Sequence, residues 1–242
     1  MVKRFRVAAA LVCLLQFQCT NPTSTLVDIG PPVLPLRELR AAILLVDGVY
    51  NSEMMAPMDV LHHTIFHTGK GIHVFTVSES GSTITTFEGL KIIPDYAFTS
   101  DSLPAIDILI VPSAKHSMDT DMMNAKLLNF VSKTGREASY VMSLCDGAFI
   151  LAQAGLLDLH ECTTFPGDVV KFRTAFPHLT VHENVIFVHD RKIITSAGGA
   201  RSYEPALYLV ELLYGKDVAN GIAKGLVIDW NIASVPAVLT RR

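Results

Sequence analysis

The chain has few cysteines for its length, four in 242 residues, and two of them, Cys13 and Cys19, fall in an apolar N-terminal segment. The body carries only Cys145 and Cys162, too few for a disulfide framework, so a hydrophobic core must hold the domain together. Also lacking is a basic stretch beyond the first few residues, and the formal net charge is −3. That excludes the electrostatic footprint of a nucleic-acid-binding surface. After the N-terminus no segment approaches the roughly 18 uninterrupted apolar residues of a membrane span, and there is no internal repeat. What is present is apolar sequence, half of all residues against 18% charged, enough to bury a full core. Small molecules or proteins, not nucleic acids, are the expected partners.

MVKRFR followed by VAAALVCLLQF sets a basic segment before roughly ten apolar residues, the pattern of a secretory signal over residues 1–19. Cys19 closes this region as a lipoprotein cysteine would, yet Phe17 and Gln18 stand where such signals carry small residues. Lipidation at Cys19, cleavage near Thr20 and an uncleaved anchor stay open. Residues 20–38, rich in Pro, Thr and Ser, read as a tether, and residues 39–242 as the folded domain. The expectation is an exported protein, in the periplasm or tethered outside the cytoplasmic membrane of a bacterium. It would touch a membrane only through this segment.

From residue 39 onward short apolar runs alternate with helical patterns. AAILLVD (41–47), GIHVFTVSE (71–79), IDILIVP (106–112) and ASYVMSL (138–144) read as strands buried on both faces. TITTF and LKIIP read as two short strands around Glu88-Gly89, ECTTF as a strand, and NVIFVHDRKIITS as a hairpin around Asp190-Arg191. Helices are predicted over residues 57–69 with Pro57 in the first turn, over 121–135 ending at Gly135, in AFILAQAG, in GDVVKFRTAF and in SYEPALYLVELLYG. The alternation implies an α/β three-layer sandwich with a mainly parallel sheet and helices on both faces. Ligands of such sheets bind beyond the carboxyl ends of the strands. The informative stretches are therefore 48–53, 113–116, 145–147, 165–166 and 197–201.

In SLCDG, Ser143 and Gly147 flank Cys145 at two residues on either side. Small residues there suit a sharp strand-to-helix turn that lifts the central side chain over the sheet, a nucleophile elbow with sulfur in place of oxygen. The helix amides that follow would favour a thiolate and could donate to a developing oxyanion. A small core hydrophobe is the alternative reading of the same cysteine.

Three segments in order, ILLVDGVYNSEMMAPMDVL, VMSLCDGAFILAQAGLLD and IITSAGGARSYEPALYLVELLYGKDVA, resemble the ThiJ/PfpI family over roughly residues 40–223. That branch of the class I glutamine amidotransferase-like superfamily includes a Parkinsonism-associated deglycase, isonitrile hydratases and peptidase-like proteins. The resemblance implies a flavodoxin-like fold, no cofactor and no metal, and a homodimer. It also implies that Glu53, four residues before Pro57, hydrogen-bonds Cys145 and shares a proton with it. A buried carboxyl can do this, acting as general acid or base. AGGARS, with Gly198 and Gly199, would line the cysteine pocket.

Departures from the family pattern bear on activity. Phe165 of CTTFP stands where many members have histidine, and Asp146 where peptidase-like members have theirs. The usual Cys-His pair is absent, so a protease or a standard glutaminase triad is doubtful. PSAKH replaces a Gly-Gly oxyanion stretch, leaving the amides of Ser113 and Ala114 as donors together with that of Asp146. His116 is the histidine that topology brings towards the cysteine, as a substitute base or as a solvated loop residue. His63 and His67, four apart, have no third ligand at an interpretable spacing, AGGARS lacks the spacing of a phosphate loop, and Cys162 reads as packed in a strand.

Two functions follow as expectations. One is an exported cysteine-dependent hydrolase, hydratase or amidotransferase-like enzyme acting on a small carbonyl, amide or nitrile-type substrate. The other is a non-catalytic ligand-binding or oxidation-sensing protein that keeps a reactive Cys145. Each calls for a thiolate at neutral pH.

Overall fold

The continuous apolar runs form the middle of one sheet, where both faces are covered. The computed structural model describes residues 37–240; the expected signal segment and almost all of the expected tether lie outside the described residues. In chain order the elements are β1 (Leu39–Leu44), α1 (Asn51–His62), β2 (Ile72–Ser78), β3 (Ile84–Thr85), β4 (Lys91–Ile92), β5 (Tyr96–Ala97) and β6 (Ile108–Val111). Then come α2 (Ala125–Glu137), β7 (Tyr140–Leu144), α3 (Gly147–Gln153), β8 (Glu161–Cys162), α4 (Val169–Ala175), β9 (Thr180–Val181), β10 (Phe187–Asp190) and β11 (Ile193–Ser196). The chain closes with α5 (Tyr203–Tyr214), α6 (Lys216–Gly225) and β12 (Ala237–Thr240).

Eight strands make the main sheet in the order β12-β10-β11-β7-β6-β1-β2-β5. Every neighbouring pair is parallel except β10 with β11, the hairpin expected around Asp190-Arg191. One face is covered by α1, α5 and α6 through side chains such as Val60, Leu207 and Ile222. The other is covered by α2, α3 and α4 through Leu127, Val131, Phe149 and Phe172. This is the three-layer α/β sandwich that the alternating pattern implied. Among the described residues no helix is long and apolar enough to cross a membrane.

Several element limits differ from expectation, each for a local reason. Helix α1 begins at Asn51 and ends at His62, so Pro57 lies inside it and Glu53 is in its first turn, not on a loop. Pro57 has no N–H to give the carbonyl four residues back, which is that of Glu53, so this opening turn lacks one internal bond. Gly135 is inside α2, which runs on to Glu137; a helical glycine fits there because a Cβ would press on Leu156. Only Glu161 and Cys162 of ECTTF are strand, and they pair with β9 outside the main sheet. Elements α6, β5, β9 and β12 were not anticipated.

Candidate active site

Strands β11, β7, β6 and β1 lie side by side and parallel, so the segments leaving their carboxyl ends converge. Those segments carry Gly198, Cys145, Ser113 and, at the start of α1, Glu53. Cys145 has φ +53°, a left-handed conformation that costs a non-glycine residue of the order of 1 kcal/mol or more and persists only where its surroundings fix it. Its N–H is fixed by the carbonyl of Ser196 at 3.0 Å. Two glycines leave the room it needs. A Cβ on Gly147 would overlap the carbonyl oxygen of Val111, and one on Gly198 would overlap the Cβ of Cys145. Ser143 is fully buried, in register with Val111 and Thr195 on the adjoining strands. The SLCDG spacing thus does what the sequence implied: it forms an elbow.

Glu53 is only 3% exposed. The N–H of Ser113 donates to its Oε2 at 2.9 Å and the N–H of Gly199 to its Oε1 at 3.2 Å. The Cys145 thiol is near enough to act on this carboxyl electrostatically. Burial pushes the Glu53 carboxyl above its ordinary range, while the two amides and the thiol pull the other way. Two backbone amides thus hold the carboxyl that the resemblance pairs with Cys145.

Cys145, 8% exposed, is a free thiol. Burial pushes it well above the usual thiol range, and the charges of Glu53 and Asp146 add to this; the Ser113 hydroxyl and the Asp146 N–H oppose it. The net direction is upward. Amides of α3 were expected to favour a thiolate, but among the groups acting on the sulfur only the Asp146 amide comes from that turn, against two carboxyls. Nucleophilic attack from such a site needs a base to take the thiol proton as the bond forms. Ser113 Oγ is buried beside both sulfur and carboxyl without completing a hydrogen bond to a partner.

Two residues that sequence reasoning passed over meet Asp146. Thr164 Oγ1 donates to Asp146 Oδ1 at 3.1 Å and lies 3.2 Å from the Cys145 carbonyl. Asp168, half-buried just ahead of α4, is near enough for its charge to act on the Asp146 carboxyl. Burial first, and then the charge of Asp168, raises Asp146 to about 7. TTFPGD held the available signal, since Pro166-Gly167 turns the chain back towards the elbow. Tyr50 also faces this group of acids, its ring 4.7 Å from that of Phe87.

Other sequence candidates fall elsewhere. His116 Nδ1 pairs with Asp119 at 3.1 Å, and its side chain lines a surface hollow of about 400 Å³ with Asp47, Thr85, Phe87 and Lys115, not with Cys145. The Ala114 N–H, expected as an oxyanion donor, is taken by Ser117 Oγ at 2.8 Å, because the PSAKHS segment closes on itself as a local turn. The Ser113 N–H is taken by Glu53. Phe165 stands 42% exposed at the head of the turn that carries Asp168. His63 is in a 3-10 turn beyond α1, its Nδ1 bound to the Asp59 carbonyl, so it and His67 do not share an α-helical face. Among the described residues no group of three or more potential ligands is placed to hold a metal ion.

Comparison with known proteins agrees with this architecture. The chain is 26% identical over 154 residues to the HTH-type transcriptional regulator GbdR of Pseudomonas aeruginosa; that stretch is 64% of this chain and 41% of that protein, so the chain spans about two fifths of that relative's length. It is 28% identical over 184 residues to the isonitrile hydratase of Pseudomonas putida, covering 75% of each. The crystal structure of Drosophila melanogaster DJ-1beta has the same fold, with a TM-score of 0.68 at 22% identity over 80% of this chain and 100% of that one. The family model described as DJ-1/PfpI matches residues 39–212. The chain therefore belongs to the DJ-1/PfpI family.

Proposed function

We propose that this protein is an exported cysteine-dependent enzyme of the hydrolase, hydratase or amidotransferase-like kind, acting on a small carbonyl, amide or nitrile-type substrate. Cys145 is the nucleophile and Glu53 its proton partner. The observation that supports this reading is a left-handed Cys145 near a buried Glu53 carboxyl that two amides hold and whose charge acts on the thiol. Backbone strain and a buried acid are both costly, and they coincide where chemistry uses them. As Cys145 attacks, its proton passes towards Glu53, which can return it to the leaving or adding group. Export rests on the basic and apolar N-terminal segment.

One observation favours a second reading, a non-catalytic binding or oxidation-sensing protein. The amides of Ser113 and Ala114 are already engaged, so the usual pair of oxyanion donors is not free. A screen of small aldehydes, amides and isonitriles separates the two. Turnover that disappears in Cys145→Ser and falls about 10²-fold or more in Glu53→Gln supports the enzyme. Absence of turnover across the panel, with stepwise oxidation of Cys145 instead, supports the sensor.

A further inference from the structure

Thr164 has a single hydroxyl proton and two acceptors beside it. Its Oγ1 lies 3.2 Å from the Cys145 carbonyl oxygen and 3.1 Å from Asp146 Oδ1. Thr164 is 1% exposed and Asp146 7%, so little water can stand in for a missing partner. One proton cannot complete both bonds. Both close when the Asp146 carboxyl is protonated, because its O–H then donates to Thr164 Oγ1 and the hydroxyl donates to the carbonyl. As a carboxylate, Asp146 takes the hydroxyl proton for itself, and the carbonyl loses that donor.

The carbonyl in question belongs to the strained residue of the elbow. Cys145, at φ +53°, is held at its N–H by the Ser196 carbonyl at 3.0 Å. At its own carbonyl the Ala148 N–H stands at a long 3.4 Å, so the Thr164 hydroxyl is the nearer donor. Thr164 is anchored to the sheet rather than to the elbow. The neighbouring Thr163 N–H donates to Thr195 Oγ1 at 2.8 Å and the Thr163 hydroxyl to the His182 carbonyl at 2.9 Å. Thr195 in turn is in register with Ser143 near the end of β7. Burial, and then the charge of Asp168, raises Asp146 to about 7, so both arrangements are reached near neutral pH. The charges acting on Asp146 are those of Asp168, from the turn ahead of α4, and Glu53, from α1; Asp146 acts in turn on Tyr50 and on the Cys145 thiol. Among the described residues Asp146 is in no ion pair, so no cation fixes it as a permanent carboxylate.

We infer that Thr164 is a positioning residue for the nucleophile, whose one proton holds the Cys145 carbonyl while Asp146 is protonated and passes to the service of Asp146 when that carboxyl ionises. The inference deepens the reading of Cys145 as a nucleophile and rests on it. On ionisation the Asp146 O–H bond breaks and its proton leaves to solvent. The Thr164 hydroxyl then turns from the carbonyl to the carboxylate, with no other covalent change. The turn at Cys145 keeps its N–H partner and loses its nearer carbonyl donor. Glu53 remains the partner of the thiol proton in both states.

Cysteine labelled with 13C at its carbonyl, incorporated into the whole protein, reads this bond by NMR, because a carbonyl carbon moves upfield when it loses a hydrogen-bond donor. The Cys145 signal is assigned by its absence from Cys145→Ser. Between acid and alkaline pH it should move upfield with a midpoint near 7 in the wild type and in Thr164→Ser, which keeps the hydroxyl. It should stay fixed in Thr164→Val, which has no hydroxyl, and in Asp146→Asn, whose amide donates to Thr164 Oγ1 at every pH. Iodoacetamide labelling gives the consequence for the nucleophile. The rate at Cys145 in Thr164→Val should fall about threefold below wild type at about pH 5.5 and equal it at about pH 8.5, the size of one modest hydrogen bond, with the charge of Asp146 left in place. A wild-type carbonyl that does not titrate, or one that titrates equally in Thr164→Val, would overturn the positioning role and leave the nucleophile standing. A Cys145 inert to iodoacetamide at every pH in the wild type would overturn the nucleophile reading and the inference with it.

Discussion

The two cysteines of the body share more than their order in the chain suggests. Cys145 and Cys162 are both free and buried, and acidic neighbours push both thiols up. Burial, together with Asp190 and Glu161, takes Cys162 to about 12. Cys162, however, lies in the short strand β8 and turns its sulfur to the Thr180 carbonyl at 3.6 Å. Cys145 stands on a left-handed turn among Glu53, Asp146 and Ser113. The acids differ as well. Burial alone would raise Asp190, but the Glu161 amide, the Thr240 hydroxyl, His160 and Arg191 hold it below its ordinary range, as a fixed carboxylate. Around Cys145 the acids are raised and can carry protons. A buried thiol with charged neighbours is therefore not by itself a site. Backbone strain and neighbours able to exchange a proton make the difference.

The sharpest way to break this contrast is to remove the strain's support. Gly198→Ala places a methyl group on the Cβ of Cys145 at a residue whose own φ is +75°. It should destabilise the fold by about 3 kcal/mol or more in urea unfolding and suppress labelling of Cys145, with the Cys162 environment unchanged. Gly147→Ala, which meets backbone of Val111, should cost about as much.

Next in size is the pH dependence of stability. Asp146 titrates near 7 when folded, against an ordinary value of 3.8. Folded protein thus binds the additional proton between these limits, and the stability it contributes is present below 3.8 and lost as pH rises through 7. Asp146→Asn removes that loss. At pH 8 the variant should be more stable than wild type by about 2 kcal/mol, with no difference near pH 4. The smallest effect is expected at the other cysteine: Cys162→Ala should cost about 1 kcal/mol and leave the labelling rate of Cys145 unaltered.

Much of this contrast could be read from residue order, and some of it could not. Buried parallel strands announce themselves as continuous apolar runs, and ILIV and YVMSL became β6 and β7 as expected. The elbow was legible because Ser143 and Gly147 are local steric requirements of the turn at Cys145. The half-buried edge strand AVLT, by contrast, carries no such run and escaped. Asp168 was illegible for a related reason. In sequence it is an aspartate after Pro-Gly, ahead of a helix, which reads as a cap; only the fold brings its charge near enough to act on Asp146. The engagement of the Ala114 amide by Ser117 likewise depends on a turn whose residues carry no strong signature.

The account's central claim is that Cys145 reacts because its acids can take a proton, whereas Cys162 does not. Alkylation of both thiols in the same sample, followed peptide by peptide from pH 5 to 10, tests it most directly. The rate at Cys145 should rise with an inflection below the free-thiol value of about 8.5, while Cys162 remains unlabelled until the protein unfolds. Parallel labelling of the two cysteines, or an inflection of Cys145 at or above about 8.5, would contradict it.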